Sequence, residues 1–260
     1  MSDWIKISID TFESYVDSFS GLSVLQQKNF QIKKDHSLRV ADNTSMLTEA
    51  MKLNNSDSKA IFLAGLFHDI GRFRQLVEFN TFNDMISVDH AEYSVMVIGE
   101  KDLLNSLDDD TKQLALTAIR HHNKFQLPRK LTERELLYSR ILRDSDKIDI
   151  LRVITDYYSD NSREPNNTLT WELPPGNRIS ADVERDILAG RLVSGDDVKN
   201  EADVKVMQLS WVYDFNFKIS FDIIFQKRFL EKIYSTLPKN DQTIEIYRKI
   251  KVFAENKLLK

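Results

Sequence analysis

Five histidines, His36, His68, His90, His121 and His122, stand in this 260-residue chain, and positions 123–260 contain none. Read on helices, His36 shares an apolar stripe with Val40, Asn43 and Leu47, and His68 faces inward with Ile61, Ala64 and Gly65. Asp69 follows His68 directly, His121 continues from Leu114 and Ala118, and His122 from Ala115 and Ile119. Burying several imidazoles beside a carboxylate is unfavourable unless they share a partner, and a metal ion is the simplest one. Imidazole suits Zn, Fe, Mn, Co and Ni, and carboxylates extend the range to harder ions. Asp69 has two oxygens and so can hold one ion on each. Two ions sharing a water lower its pKa and make a nucleophile near neutral pH. The pattern is that of a hydrolytic metal centre.

A further carboxylate is needed, and Asp144 and Asp146 compete for the place. Asp144 lies on the stripe of Leu137, Ile141 and Ile148, and Asp146 on that of Leu142, Ile150 and Val153. They sit about 200° apart on a helix, so only one faces the ions. For an anionic substrate the first candidate cations are Arg72 and Lys147, ahead of Arg120, Lys124 and Arg152. The connector over 76–89 could overhang the site, with Phe79 and Phe82 as its wall.

Helices must position these groups. Only 7 Gly and 5 Pro occur, too few for the frequent turns of a β-sandwich or barrel. Ile5, Ile9, Phe12 and Val16 predict a first amphipathic helix, and a second is expected over 30–53. A third starts near Ser56, Asp57 and Ser58 and ends at Gly71, read as a C-terminal cap. Asp89 caps a fourth that His90 opens and that ends near Gly99, and a fifth runs from 108–110 to 123. Thr132 and Glu135 form a capping box that opens a sixth through Tyr158. A polar loop with Pro165, Pro174, Pro175 and Gly176 is expected over 159–178. Four more helices follow, over 180–189, 202–213, 222–235 and 241–259. Residues 1–160 form the metal-binding core, with the loop and helices of 161–260 packing on it as part of the same domain. The aromatic group of Trp211, Tyr213, Phe215, Phe217, Phe221 and Phe225 is read as packing, or as a homodimer face.

Composition narrows the classes. The net charge of −4 speaks against a duplex nucleic-acid surface. The lack of Cys removes disulfides, thiolate metal sites and a Cys nucleophile. No signal peptide is evident at the N-terminus, and the longest apolar run, 60–67, is far too short to span a membrane. A cytoplasmic protein without a membrane partner is expected.

The ordered set of His36, the His68-Asp69 doublet in GLFHDIGRF and an Asp in LRDSDKIDIL resembles the HD superfamily of metal-dependent phosphohydrolases. With His90 in VDHAEYS and His121-His122 in IRHHNK it is similar to the subset that binds two metals. The resemblance covers roughly 30–155 and implies an all-α HD-domain helical bundle, here with a C-terminal helical extension. The family's distal Asp is followed by a basic and then an apolar residue, which favours Asp146-Lys147-Ile148 over Asp144. The implied ligands are His36, His68, Asp69, His90, His121 and Asp146. His36, His68, Asp69 and Asp146 would hold one ion; Asp69, His90 and one or both of His121 and His122 would hold the other. Asp69 and His122 are the implied catalytic residues, the latter as donor or leaving-group acid, and Arg72 and Lys147 bind substrate. One or two divalent transition-metal ions (Mn, Fe, Ni, Co or Zn) are the implied cofactors. The implied reaction is hydrolysis of a nucleotide or other small phosphate ester, as a phosphomonoesterase or phosphodiesterase. An HD-fold mixed-valent di-iron oxygenase acting on a small polyol or phosphonate would use the same ligand order. A degenerate regulatory module ranks last, since no ligand is missing.

Overall fold

The computed structural model describes residues 3–159 and 173–259. Among them the fold is all-α, with no strand. Most of the expected loop over 159–178, Pro165 included, lies outside the described residues. The chain divides into two compact units, Met1–Asp149 and Ile150–Lys260.

The first unit opens with α1 (Asp3–Asp17), which buries Phe12 and Val16. The second helix, α2 (Val24–Ala50), starts six residues before the expected 30. A capping box sets that start: the Gln26 N–H donates to Ser23 Oγ at 3.2 Å and the Ser23 N–H to Gln26 Oε1 at 3.0 Å. Asn54 caps α3 (Asn55–Phe67) and Asp89 caps α5 (His90–Lys101). Asp108 caps α6 (Asp109–His121). The Thr132–Glu135 box opens α7 (Glu133–Ser159).

One expected boundary is corrected. The third helix does not run to Gly71; it ends at Phe67, and after His68 and Asp69 a separate helix, α4 (Ile70–Phe79), begins. Gly71 is no cap. A Cβ there would lie 2.5 Å from the Ser94 backbone N and 2.8 Å from the Tyr93 carbonyl carbon, so its missing side chain lets α4 meet α5. The Gly71 N–H also donates to Ser94 Oγ at 3.0 Å. Gly71→Ala therefore forces backbone apart and is expected to cost about 1–3 kcal/mol, read as a lower urea midpoint with an unchanged slope. The core of this unit holds Leu47, Ile61, Leu63, Leu66, Phe67, Ile70 and Phe73, all nearly inaccessible. Phe73 meets Phe12 and Phe30 edge-on and Phe12 meets Phe67 at a tilt, with centroids 5.0–6.3 Å apart.

The second unit contains α8 (Ala181–Leu188), α9 (Glu201–Ser210), α10 (Lys218–Gln226), α11 (Phe229–Ser235) and α12 (Asp241–Leu258). The single helix expected over 222–235 is two, because Arg228 takes a left-handed φ of 55° between α10 and α11. Buried Asp203 ties the start of α8 to α9: it accepts from the Ser180 N–H at 2.8 Å, the Ser180 hydroxyl at 2.6 Å and the Lys199 N–H at 3.0 Å. Phe215 packs on Phe221 and Tyr213 on Phe253, so these aromatics serve packing within the unit. No helix among the described residues is long and apolar enough to cross a membrane.

Candidate metal centre

Six elements of the first unit deliver the site. His36 projects from the middle of α2. His68 and Asp69 occupy the break between α3 and α4, His90 is the first residue of α5, His122 follows the last residue of α6, and Asp146 lies on α7. The α3–α4 break matters because it sends two neighbouring side chains into one buried space.

Their ligand atoms form two groups that share one carboxylate. In the first, His36 Nε2 lies 3.2 Å from His68 Nε2 and 3.1 Å from Asp146 Oδ1. Asp69 Oδ2 is 3.7 Å from His36 Nε2 and 3.6 Å from His68 Nε2, and His68 Nε2 is 3.8 Å from Asp146 Oδ1. In the second, His90 Nε2 lies 3.0 Å from His122 Nε2, and Asp69 Oδ1 is 3.5 and 3.7 Å from those two nitrogens. Ligands about 2.1 Å from one ion at 90–109° to each other lie about 3.0–3.4 Å apart. The three separations of 3.0–3.2 Å fall in that range, and the other five, 3.5–3.8 Å, lie slightly beyond it.

The hydrogen bonds behind the rings aim them. His68 Nδ1 donates to the Gly65 carbonyl at 2.7 Å and His122 Nδ1 to the Ile119 carbonyl at 2.7 Å. A carbonyl only accepts, so each Nδ1 carries a proton and each ring turns its Nε2 inward. His36 Nδ1 meets Asp149 Oδ2 at 2.7 Å, and Asp149 is braced by Arg39 Nε at 2.5 Å and Nη2 at 3.0 Å. His90 Nδ1 meets Asp84 Oδ2 in a short contact, and Asp84 is held by Arg72 Nη1 at 2.7 Å and Gln75 Nε2 at 3.1 Å. Such carboxylate–histidine pairs fix ring orientation and raise ligand basicity. The side chain of Asn123 donates to Asp89 at 2.9 Å, and Arg143 donates to the carbonyls of His121 and His122 at 3.3 and 3.2 Å. The C-terminal end of α6, and with it His122, is thereby anchored.

Asp69 Oδ1 is the clearest sign of a missing cation partner. It is buried, charged, and accepts no hydrogen bond within the protein, an unfavourable condition for a carboxylate oxygen. The donor set around it, imidazole nitrogens and carboxylate oxygens, is that of a divalent transition metal. These residues fit such an ion.

The protonation states point the same way. Burial pushes His68 down to about 3, and burial with Arg72 pushes His90 down to about 4, so both are neutral and able to ligate near pH 7. Burial opposes the charge of Asp69, but Lys33 and His68 outweigh it and hold the carboxyl well below the usual range. His36 goes the other way: burial lowers it, yet Asp146 and Asp149 on its two nitrogens raise it overall. Below about pH 6.5 the unfolded chain protonates His68 and His90 while the folded chain does not, so the unfolded state binds more protons. Stability falls as the pH drops through that window toward about 4 and 3, opposed by His36 and, near the ordinary Asp range, by Asp42, which burial raises. Below the ordinary Asp range, the depressed Asp69 and Asp146 add to the loss. Melting without added metal is expected at a clearly lower temperature at pH 5 than at pH 7.5, and a flat profile would contradict these environments.

Of the residues expected from the sequence, His36, His68, Asp69, His90 and Asp146 come together. His121, expected as a ligand, enters neither group; His122, expected as the catalytic donor, takes that place. The two rings leave the end of α6 in different directions, and only His122 has its Nδ1 tied back to Ile119. His122→Ala is therefore expected to lose one bound ion and His121→Ala none, measured by metal analysis after dialysis. Asp144 is also buried but belongs to neither group. Arg72 Nε lies 3.7 Å from Asp69 Oδ1, while its Nη1 holds Gln75, the Phe82 carbonyl and Asp84. Lys147 is half-buried beside Asp146. Lys33, Asp84, Asp149, Arg39 and Arg143 were not singled out as part of the site. Asp149 carried a signal, one helical turn after Asp146, whereas Lys33 and Asp84 carried none beyond proximity in sequence to His36 and His90.

Buried histidines and aspartates that converge at helix ends and breaks of an all-helical unit could hold a metal ion. Residues 34–151 match the family model of the HD domain, a match that supports a metal-dependent hydrolase in general terms. The match spans every residue of the two ligand groups. Comparisons with curated proteins and with solved structures gave no significant match.

Proposed function

We propose that this protein is a metal-dependent phosphohydrolase acting on a nucleotide or another small phosphate ester, through two divalent transition-metal ions. The observation that carries the reading is the division of Asp69, with Oδ1 facing His90 and His122 and Oδ2 facing His36 and His68. Bound there, the ions supply a water acidic enough to be a nucleophile near neutral pH and charge to offset that of the phosphoryl oxygens.

The chain's own residues do the rest. Asp149 and Asp84 keep His36 and His90 turned inward, so the ligand geometry exists before substrate arrives. Arg72 flanks Asp69 on the Oδ1 side and, with Lys147 beside Asp146, provides positive charge for an anionic substrate. Phe82, whose ring lies 5.8 Å from the Arg72 guanidinium carbon, forms a wall next to that charge. His122 Nε2 is turned to Asp69 Oδ1, so His122 serves as a ligand and not as the leaving-group acid.

The test is a substrate panel on metal-defined protein: p-nitrophenyl phosphate, nucleotides and cyclic nucleotides, with Mn, Co, Ni, Fe or Zn supplied one at a time. Hydrolysis that requires added metal supports the reading. Oxygen uptake with loss of a polyol or phosphonate, supported by iron alone, contradicts it.

A further inference from the structure

Several cations around the centre hold groups that are not candidate ligands. Arg39 braces Asp149, Arg72 Nη1 holds Asp84 and the Phe82 carbonyl, Arg143 caps α6, and Lys124 pairs with Asp89. Lys33, one helical turn before His36 on α2, instead places its Nζ 2.7 Å from Asp69 Oδ2, the oxygen that also faces His36 and His68. It thus reaches a candidate ligand atom within hydrogen-bond distance. Its side chain is 22% exposed, and its other contact is the Phe82 ring, 5.7 Å from Nζ.

A metal ion and an ammonium compete for the same carboxylate oxygen, and the doubly charged ion with two imidazoles behind it is the stronger partner. The lysine stem is long and flexible, so the ammonium can give up Asp69 without disturbing α2. It is then next to Phe82, on the partly exposed side of the cluster, where a cation over an aromatic face is stabilised but still needs an anionic partner. We infer that Lys33 is the anion-binding residue of this centre, exchanging Asp69 Oδ2 for a phosphoryl oxygen of the substrate when metal is bound. The inference rests on the phosphohydrolase reading and adds a residue to it. It also explains why Arg72, whose Nη1 is engaged three times over, need not be the group that meets the phosphate.

The test uses Lys33→Met, which keeps the apolar stem, with Lys33→Gln should the first variant melt abnormally, and Lys33→Arg as the charge-retaining control. Mn²⁺ affinity and the affinity of the Mn-loaded protein for inorganic phosphate are measured by calorimetry. Lys33→Met is expected to bind Mn²⁺ as tightly as the wild type or several-fold more tightly. Its phosphate affinity should fall about ten- to hundredfold, the worth of one charge-assisted hydrogen bond, and Lys33→Arg should restore it. A lysine that only clamps Asp69 in place would weaken Mn²⁺ binding when removed. That result, or an unchanged phosphate affinity, overturns the inference. If the wild type hydrolyses phosphate esters while Lys33→Met binds phosphate normally, the inference falls and the phosphohydrolase reading stands. If the Mn-loaded wild type neither binds phosphate nor hydrolyses any ester, both fall together.

Discussion

Asp69→Ala is expected to empty both metal positions at once, whereas removal of any single histidine should disturb one position. The reason is the geometry of the shared carboxylate: Oδ1 stands 3.5 and 3.7 Å from His90 and His122, and Oδ2 stands 3.7 and 3.6 Å from His36 and His68. Alanine leaves four imidazoles and Asp146 without the charge that both ions share. Metal content after dialysis should drop to background, and turnover of any phosphate ester the wild type accepts should drop by about 10²–10³-fold or more. Asp69→Asn is the shape-preserving companion, since it keeps the volume and loses the charge. Both variants lose the partner of Lys33, so a melt without metal is run beside each to show that the loss of ions is read on folded protein. Retention of stoichiometric metal in Asp69→Ala would refute the shared-ligand assignment.

The second large effect separates the two positions by what lies behind the ligands. Asp149→Asn removes the carboxylate behind His36, and Asp84→Asn removes the one behind His90. Each should weaken metal binding about 10–100-fold, but at different ions. In a calorimetric titration of the wild type resolving two binding events, Asp149→Asn should shift the event that needs His36 and Asp146, and Asp84→Asn the event that needs His90 and His122. Asp84→Asn has a further consequence, because it also releases Arg72 Nη1 and Gln75 Nε2. The His90 position should therefore lose order as well as basicity. If both variants weakened the same single event, the division of the cluster would be wrong.

These results bear on what could be read from the residue order. The helical class followed from the scarcity of Gly and Pro and from apolar spacing, and two helix starts were visible as caps, Asp89 and the Thr132–Glu135 box, with a third placed at 108–110. The break at His68 and Asp69 was not visible, because the apolar pattern of α3 continues into Ile70, Phe73 and Leu76. Gly71 looked like a helix end when its role is to let two backbones approach, a tertiary demand that local pattern cannot display. At the site, His36, the doublet and His90 could be recognised from type and order, and Asp146 from its neighbours. The choice between His121 and His122 needed the last turn of α6, where one residue's step of about 100° decides which ring faces Asp69. The residues that aim the ligands were harder still. Asp84 acts from outside the ligand-bearing helices, and a carboxylate in sequence looks the same whether it faces water or a ring nitrogen.

The central claim is that one aspartate joins two cation positions inside the HD domain. Crystals of the protein grown with Mn²⁺ and measured at the manganese absorption edge test it most directly. Two anomalous peaks are expected on either side of Asp69, one bounded by His36, His68 and Asp146 and the other by His90 and His122. Peaks elsewhere, or none at this cluster with manganese present in excess, would contradict it.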